Sequence, residues 1–490
     1  MSAPIFGPPS IAFNGRHWSS DELAAIAAGW LDFLHASVPR TAELTALALT
    51  NHPDAVALFF ALSSFPLPVI VLRPDARSWR SSPPIPPGTP LFLTPPLHGL
   101  VGAAEALGLS ACVVPRPRPT SGPTSPVDFL TSPGIVNFTS GSTGLPKPVY
   151  ILTRSFVSQT AAIIEACGLS PEAAVAGSLP LATHYGLGQA LFLPTILGCR
   201  LGLVERFDHR SLLRLFASGS YTYWAGTPLM ADMLARAPLS GPPATVPPIC
   251  HISAGRLSTR VFRAFLDRFG VALRPNYGQT ENGFITVDTS PVDEIRPDCV
   301  GRPAPGIQVR IGDDPLDPFL PGRLGRVWFT SPWYMEGYGF PPRLAPREGR
   351  QGWWPTQDVG LLDDSGYLTL AGRVDDCFKT PGGYLVNPGE VTNAMMSHPG
   401  VTDLVVLPVL GSGGLLIGAL VEGDSRVEPD ELRAAAARML PPWSQPHVVV
   451  VTARLPRLAG GKADRAACLA VLREAGARRL AASHTPTQGA

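Results

Sequence analysis

Residues 138–148, FTSGSTGLPKP, place two glycines, four hydroxyl-bearing residues and a lysine within eleven positions. Glycine allows backbone N–H groups to approach an anion closely, hydroxyls add hydrogen-bond donors, and lysine adds a positive charge. The segment directly follows a short apolar stretch, GIV at 134–136, which has the character of a β-strand. A strand that runs into such a loop is suited to holding phosphate groups.

The spacing within this loop separates it from three better known motifs. Lys147 is followed by proline, and Gly141 and Gly144 are three positions apart, so the loop is neither GxxxxGK[ST] nor GxGxxG. Taken alone, the loop could also be a polar turn, the usual fate of a Ser/Thr/Gly cluster. A serine hydrolase with Ser140 or Ser142 as nucleophile is disfavoured, because neither serine lies in GxSxG.

Five further segments follow the loop in the chain. They are ISAGRLS at 252–258, NYGQTENG at 276–283, GWWPTQDVGLLDDSGYLTLAGRVDD at 352–376, FKTPGGYLVNPGEV at 378–391 and LPRLAGGKADRAA at 455–467. Together with TSGSTGLPK they resemble, in the same order, the signatures of the adenylate-forming superfamily, which includes acyl- and aryl-CoA synthetases, adenylation domains and luciferases. The resemblance extends from about residue 54 to residue 467.

This resemblance implies a set of residues that hold the triphosphate of ATP. The loop would surround the β- and γ-phosphates with Thr139, Ser140, Gly141, Ser142, Thr143, Gly144 and Lys147. Thr280 would lie near the α-phosphate, and Glu281 would help to hold Mg²⁺, which prefers a few carboxylate oxygens together with substrate phosphates. Considered singly, Lys147 and Glu281 would be ordinary surface residues.

The resemblance also implies the residues that bind the nucleoside. Tyr277 would stack on adenine, Asp358 would accept hydrogen bonds from both ribose hydroxyls, and Arg373 would reach the ribose. Gln357 stands where the family has a glycine. This difference puts in question whether the backbone around Asp358 has the conformation found in the family.

Lys462 is the residue expected to act on the reacting groups. It lies in GGKADR, where its ammonium would bridge the incoming carboxylate and the α-phosphate as charge develops. Asp375 matches the family's interdomain hinge, and Gly382 and Gly383 match the loop that forms a tunnel for a pantetheine thiol. The acceptor would be CoA or the phosphopantetheine of an acyl-carrier protein, and the residues leave both open.

The acid is expected to be neutral beyond its carboxylate. His184, Tyr185 and Gly255 are the candidates for the acyl pocket, although His184 could equally be a core histidine. Residues 180–202 contain no acidic side chain, and a buried ammonium without a counter-charge would be costly, so α-amino acids are disfavoured. The aromatic segment 221–228 suits an aryl or a medium-chain acid.

Composition limits the protein class. The chain has 490 residues and a formal net charge of +1, which argues for two or three folded units and against nucleic-acid binding. Pro66 and Pro68 interrupt the longest apolar run, 54–72, so no membrane span is expected. The seven cysteines have no metal-ligand spacing, and no signal peptide is evident, which together predict a cytoplasmic protein with reduced thiols.

The alternation of apolar strand patterns with helical patterns predicts an α/β fold. We expect helices at 54–64 and 429–440 and strands at 69–72, 404–410 and 448–452. A large multi-layer N-terminal domain would span 1–373 and hold the ATP and acid pockets. A small mobile α+β lid would span 375–475 and contribute Lys462, and 476–490 would be a tail.

The expected activity is the ATP-dependent conversion of a small carboxylic acid to acyl-AMP with release of pyrophosphate, followed by transfer to a pantetheine thiol. One alternative is a ligase whose acceptor is an acyl-carrier protein. Another is a non-catalytic nucleotide-binding regulator. The regulator is disfavoured because Glu281, Asp358, Arg373 and Lys462 are all present, whereas a decayed enzyme would have lost one of them.

Overall fold

The protein alternates strands and helices over a large N-terminal and a small C-terminal region. The computed structural model describes eleven stretches of the chain, residues 7–80, 84–115, 132–139, 146–219, 221–238, 245–318, 320–380, 385–411, 414–424, 426–458 and 463–483.

The N-terminal region contains strands β1 to β21. Their bounds are β1 Ile11–Phe13, β2 Arg16–Trp18, β3 Thr45–Ala48, β4 Val69–Leu72, β5 Pro90–Leu93, β6 Ser110–Val113, β7 Gly134–Phe138, β8 Pro148–Leu152, β9 Ala174–Gly177, β10 Arg200–Leu203, β11 Tyr223–Gly226, β12 Ile249–Ile252, β13 Leu273–Gln279, β14 Gly283–Val287, β15 Arg302–Pro303, β16 Gln308–Ile311, β17 Gly325–Thr330, β18 Gly337–Phe340, β19 Arg343–Ala345, β20 Trp354–Leu362 and β21 Leu368–Arg373.

The helices of this region are α1 to α11. Their bounds are α1 Ser20–Gly29, α2 Leu31–Ser37, α3 Pro53–Ser63, α4 Ala76–Arg80, α5 Val101–Glu105, α6 Thr153–Ala166, α7 His184–Leu187, α8 Leu193–Leu197, α9 His209–Ser218, α10 Pro228–Arg236 and α11 Thr259–Phe269. A π-helical turn, Gly188–Phe192, joins α7 to α8, and short 3-10 turns occur at Pro95–Leu100 and Val292–Glu294.

Two large sheets and one smaller sheet form the layers of this region. The first has nine strands in the order β15-β14-β13-β12-β11-β9-β10-β1-β2, and the second has eight in the order β19-β18-β8-β7-β4-β3-β5-β6. The largest hydrophobic cluster combines residues of both sheets with residues of α3 and α6. Separate clusters cover the outer faces, one with α9 to α11 and one with α4 and α5.

The apolar run at 54–72 forms a helix and a buried strand, as predicted. Pro53 occupies the first turn of α3, and the His52 ring accepts a hydrogen bond from the Asp54 N–H, so the helix begins there. The helix ends at Ser63, before the two prolines, and β4 follows with all four residues buried. The interruption by proline therefore turns a near-membrane-length run into two layers of a core.

A four-stranded antiparallel sheet, β16-β17-β20-β21, follows the large sheets in the chain. Strands β20 and β21 pair so that Asp358 lies directly opposite Arg373. Directly opposed residues of an antiparallel pair bring their side chains close together, and the sheet thereby fixes two predicted site residues against each other.

The C-terminal region contains the remaining elements. They are β22 Phe378–Lys379, β23 Leu385–Val386, α12 Pro388–Met396, β24 Val401–Gly411, β25 Gly414–Gly423, α13 Pro429–Met439, β26 Val448–Thr452 and α14 Arg465–Ser483, with 3-10 turns at Val374–Asp376 and Pro442–Ser444. Strands β24-β25-β26 form a sheet that packs against α12, α13 and α14. The strands and helix predicted here are confirmed, with β24 longer than expected.

The last helix is longer than the sequence pattern indicates. Helix α14 continues to Ser483, although a tail was expected from residue 476. The two regions also touch, because the Arg256 guanidinium donates a hydrogen bond to the Asn393 side chain on α12. All seven cysteines are free thiols, and no helix among the described residues is long and apolar enough to cross a membrane.

Candidate active site

Tyr277, Asp358 and Arg373 form one hydrogen-bonded group. The Tyr277 hydroxyl donates to Asp358 Oδ2 at 2.5 Å, and Arg373 Nη1 lies 3.4 Å from Asp358 Oδ1. Burial raises the pKa of Tyr277, and the charge of Asp358 raises it further, so the hydroxyl keeps its proton and acts as the donor. The three predicted nucleoside-binding residues are thus brought together by β13, β20 and β21.

Glu281 lies in the tight turn between β13 and β14. Its carboxylate accepts a hydrogen bond from the Tyr338 hydroxyl at 2.8 Å. A Cβ at Gly278 would lie 2.1 Å from the Gly283 carbonyl oxygen, so glycine permits the close approach of the two strands that flank the turn. Thr280 precedes Glu281 in this turn and is partly buried.

Burial dominates the electrostatics of Glu281. Removal from water raises the pKa of its carboxyl, while the Tyr338 hydrogen bond and the charge of Lys147 lower it. The negative charge of Asp358 raises the Glu281 pKa as well, which shows that the two carboxylates are near each other. Within the described stretches, Glu281 has no ion pair.

The described ends of the phosphate loop are joined to each other. The Thr139 N–H donates to the Lys147 carbonyl at 2.9 Å, and the Lys147 N–H donates to Thr139 Oγ1 at 2.9 Å. The Lys147 ammonium lies 5.1 Å from the centre of the Tyr338 ring, within cation–π range. Ser140, Gly141, Ser142, Thr143 and Gly144, which were predicted to complete the loop, lie outside the described residues.

Gln357 does not displace Asp358. Its side chain is exposed on β20, and it is not among the residues with a positive φ. The neighbouring Thr356 hydroxyl accepts a hydrogen bond from the Asp358 N–H at 3.0 Å, which fixes the backbone at this position. The glycine of the family pattern is therefore not required for this strand geometry.

Four predicted site positions belong to the C-terminal part of the chain. Asp375 lies in the short 3-10 turn that directly follows β21. Lys462, and the glycines Gly382 and Gly383, lie outside the described residues. Their roles stay predictions from the sequence.

Tyr185 and Gly255 lie near the ends of β11 and β12. The Tyr185 hydroxyl is 3.5 Å from the carbonyl oxygens of Gly226 and His251. A Cβ at Gly255 would be 3.5 Å from Pro228, which begins α10 directly after β11. These predicted acid-pocket residues therefore share one edge of the nine-stranded sheet.

His184 makes the contacts of a core histidine. It begins α7, because the Thr183 hydroxyl caps the helix by accepting from the Gly186 N–H at 3.0 Å. Its Nε2 lies 3.2 Å from Gln159 Oε1, and its ring lies 4.6 Å from that of Phe156. Burial lowers the His184 pKa to about 3, so the ring is neutral.

The aromatic segment predicted to line the acid pocket divides between the two faces of the sheet. Tyr223 and Ala225 belong to the cluster between the sheets, whereas Tyr221 and Trp224 pack in the outer cluster with α9 to α11. Successive side chains of a strand point to opposite faces, so a continuous stretch cannot line one pocket. The expectation of an aromatic wall at 221–228 is wrong in this respect.

Sequence reasoning missed Tyr338 and Asn276. Tyr338 lies on β18, which pairs with β8 directly after the phosphate loop, and only this pairing brings its hydroxyl to Glu281. Asn276 precedes Tyr277 and is 4% exposed. The position of Asn276 in NYGQTENG was the one available signal for it.

Two names summarise the geometry. The nucleotide side comprises Thr139, Lys147, Tyr277, Glu281, Tyr338, Asp358 and Arg373. The residues near the ends of β11 to β13, Tyr185, Tyr223, His251, Ser253 and Asn276, are called the acid side, after the acid pocket predicted for Tyr185. The nucleotide side suits Mg²⁺ and a polyphosphate, because a buried carboxylate that forms no ion pair with any described residue lies close to a lysine that joins the ends of a glycine-rich loop.

The sequence matches a family of AMP-binding enzymes and proteins named as CoA ligases or synthetases. The family described as AMP-binding enzyme matches residues 102–339. A sulfoacetate–CoA ligase of Cupriavidus necator is 27% identical over 77% of this chain and 72% of its own length. A feruloyl-CoA synthase of Amycolatopsis is 27% identical over 92% of this chain and 94% of its own.

Solved structures share the fold over nearly the whole chain. ATP-bound MatB from Rhodopseudomonas palustris has a TM-score of 0.78 with 22% identity, over 97% of this chain and 96% of its own. The amide bond synthetase McbA from Marinactinospora thermotolerans has a TM-score of 0.81 with 23% identity, over 95% and 97%. The family match over residues 102–339, the similar proteins and the order of the site motifs agree with the resemblance to the adenylate-forming superfamily.

Proposed function

We propose that this protein is an AMP-forming acid–thiol ligase. It activates a carboxylic acid with ATP, releases pyrophosphate, and passes the acyl group to the pantetheine thiol of CoA. The observation that carries the proposal is the convergence of the nucleotide side, where Asp358 contacts Tyr277 and Arg373 and lies near the buried Glu281. The relatives that cover most of the chain are named as CoA ligases or synthetases.

In the first step, a carboxylate oxygen of the acid attacks the α-phosphorus of ATP. The bond from this phosphorus to the bridging oxygen breaks, and pyrophosphate leaves. Asp358 and Arg373 hold the ribose, and Tyr277 packs against the adenine. Lys462 stabilises the charge that develops between the carboxylate and the α-phosphate, since an ammonium placed there acts more strongly on the transition state than on the separated reactants.

The triphosphate is held from its other end. Thr139, Ser140, Gly141, Ser142, Thr143, Gly144 and Lys147 surround the β- and γ-phosphates, and Thr280 lies near the α-phosphate. Glu281 is the residue that would hold Mg²⁺, oriented by the Tyr338 hydroxyl. Bound Mg²⁺ supplies positive charge that offsets the charge of the phosphate oxygens.

In the second step, the thiol sulfur attacks the acyl carbonyl carbon. The bond from this carbon to the phosphate oxygen breaks, AMP leaves, and the thiol proton passes to solvent. We propose a hinge at Asp375, between an N-terminal domain of residues 1–373 and a lid of 375–475, and a thiol tunnel at Gly382 and Gly383. Strand β21 ends at Arg373, directly before the proposed hinge, which supports this division.

The acid side supports a neutral acid, aryl or of medium chain length. The acids named for the relatives range from sulfoacetate to ferulate and long-chain fatty acids, so similarity alone does not choose among them. Tyr185 and Gly255 shape the pocket, and His184 supports it from the core. An acyl-carrier protein is the alternative acceptor, and a cytoplasmic location is supported by the free thiols.

ATP–pyrophosphate exchange across aryl, short-, medium- and long-chain acids and amino acids tests the proposal. Exchange with one class of acid, followed by thioester formation when CoA is added, is the expected result. Exchange without thioester on CoA, but with thioester on a phosphopantetheinylated carrier protein, would assign the carrier. ATP binding without exchange for any acid would reject the ligase in favour of a nucleotide-binding regulator.

A further inference from the structure

Arg256 connects the N-terminal region to the C-terminal region. It lies in the loop between β12 and α11, one residue after Gly255. Its guanidinium donates a hydrogen bond to the Oδ1 atom of Asn393, which belongs to α12 of the proposed lid. Arg256 is exposed and Asn393 is partly exposed, so the contact lies at the surface where the two regions meet.

Two carboxylates act on the charge of Arg256. Partial removal from water lowers the pKa of the guanidinium, while the negative charges of Asp298 and Asp403 raise it. Asp298 belongs to the N-terminal region, and Asp403 lies on β24 of the C-terminal region. An arginine that attracts a carboxylate of the other region favours the association of the two.

Asp403 is itself held by a second arginine. Its Oδ2 atom accepts a hydrogen bond from Arg457 Nη2 at 2.8 Å. The same nitrogen donates to Glu422 Oε2 at 2.9 Å, and Glu422 lies on the neighbouring strand β25. Charged groups therefore follow one another from Arg256 through Asp403 to Arg457 and Glu422.

Arg457 lies at one end of the short segment that carries Lys462. Arg457 and Ala463 pair in an antiparallel bridge, and the Asp464 N–H donates to the Pro456 carbonyl oxygen at 2.8 Å. The two ends of the segment are thus joined to each other, and the Arg457 side chain fixes them to the sheet of the C-terminal region.

The Arg256 contact has the strength expected of one that forms and breaks in each turnover. Ion pairs and hydrogen bonds between exposed side chains contribute little to stability, because water competes for both partners. A contact of this kind can shift the balance between two positions of a domain without locking either of them.

We propose that Arg256 is a positioning residue that docks the lid for the first half-reaction, through Asn393 and Asp403. This inference rests on the proposed function and deepens it by naming a residue that favours one of its two steps. The first step is assigned because the carboxylate that faces Arg256 also binds the arginine at the end of the Lys462 segment. Without Arg256, this lid position loses stability relative to the position used for thioester formation, and its population falls.

The experiment measures the two half-reactions of Arg256→Ala separately. The kcat for pyrophosphate release from acid and ATP should fall by about 5- to 10-fold, the size expected for one contact of a charged group near the surface. The KM for ATP should stay the same, because the nucleotide side belongs to the N-terminal region. Thioester formation from supplied acyl-AMP and CoA should be unchanged or faster. The loss should be the same factor for every acid, which separates docking from contact with the acid.

Three further variants keep the test decisive. Asn393→Ala should cause the same split to a smaller extent, and the double variant should lose little more than Arg256→Ala alone, since both remove one interaction. Arg256→Lys keeps the charge near Asp403 and should restore part of the rate. Arg263→Ala, which removes an exposed arginine from α11, should change neither half-reaction.

Four results with the active enzyme would overturn the inference and leave the proposed function intact. They are an unchanged rate of pyrophosphate release in Arg256→Ala, a similar loss in both half-reactions, a loss confined to thioester formation, and a loss that differs between acids. Fully additive effects of Arg256→Ala and Asn393→Ala would also overturn it. If the wild-type enzyme binds ATP but exchanges pyrophosphate with no acid, the proposed function itself fails, and this inference fails with it.

Discussion

The nucleotide side and the acid side are built from different kinds of residues. The nucleotide side uses charged groups paired to one another, such as Asp358 with Arg373 and Tyr277. The acid side uses neutral groups that are buried, such as His251 and Asn276. ATP presents the same charges in every turnover, whereas the acid differs between relatives. The charged residues of the nucleotide side can therefore stay the same while the neutral residues of the acid side differ between relatives.

The two sides therefore predict different consequences of mutation. A change on the nucleotide side should affect every acid by the same factor, because every reaction uses ATP. A change on the acid side should affect acids unequally, since only some of them make the contact that is lost.

The largest effect is expected at Lys462, which we propose acts on the carboxylate of the acid and the α-phosphate of ATP. Lys462→Ala should lower the rate of pyrophosphate release from acid and ATP by roughly 100- to 1,000-fold, because the developing charge loses its preorganised cation. Thioester formation from supplied acyl-AMP should be largely retained. Arg473→Ala, which removes an exposed cation from α14, is the control and should leave both half-reactions unchanged. Equal loss of both in Lys462→Ala would contradict separate conformations for the two steps.

A smaller effect is expected at Asp358. Asp358→Ala removes the carboxylate that contacts Tyr277 and Arg373, and it should weaken ATP binding by roughly 10- to 100-fold, the size expected for hydrogen bonds to a charged group. Calorimetry would measure the affinity, and the factor should be the same with every acid bound. Asp364→Ala, an exposed change in the β20–β21 turn, should leave ATP affinity unchanged. An unchanged affinity in Asp358→Ala would show that the ribose assignment is wrong.

The ionised carboxylate of Glu281 should lower the stability of the fold, although the proposed Mg²⁺-dependent reaction requires it. Its folded-state pKa is raised by burial, so its contribution to stability is fully present below its unfolded pKa and is lost as pH rises through the folded pKa. Glu281→Gln should therefore unfold at a higher Tm than wild type at pH 7, with little difference near pH 4. The same variant should lose Mg²⁺-dependent exchange with every acid.

The matched control for this variant is Glu294→Gln, an exposed change on a 3-10 turn, which should alter neither the Tm nor the exchange. Thermal scans without nucleotide, at pH 4, 5.5 and 7, separate the charge effect from ligand binding. A Tm difference that is independent of pH would mean that lost packing, and not the buried charge, controls stability here.

The sequence predicts the nucleotide side better than the acid side for a physical reason. Asp358 and Arg373 lie in a continuous motif because a hairpin of adjacent strands brings them together. Tyr338 gains its importance from Glu281, a partner distant in the chain, and no local spacing encodes such a contact. The strand at 69–72 was predicted with its observed bounds because two prolines and a buried apolar run define it locally.

The smallest effect is expected at Ala254, in the loop that leads from β12 to Gly255. Ala254 has a φ of 63°, a left-handed conformation that costs a residue with a Cβ about 1 kcal/mol or more. Ala254→Gly should relieve this strain and raise the Tm by about a degree, although the greater freedom of glycine in the unfolded chain offsets part of the gain. Ala434→Gly, at an exposed position within α13, should instead lower stability by about 1 kcal/mol. If Ala254→Gly also changed the relative kcat/KM for different acids but not the KM for ATP, this loop would belong to the acid side, and its strain would serve to shape the pocket.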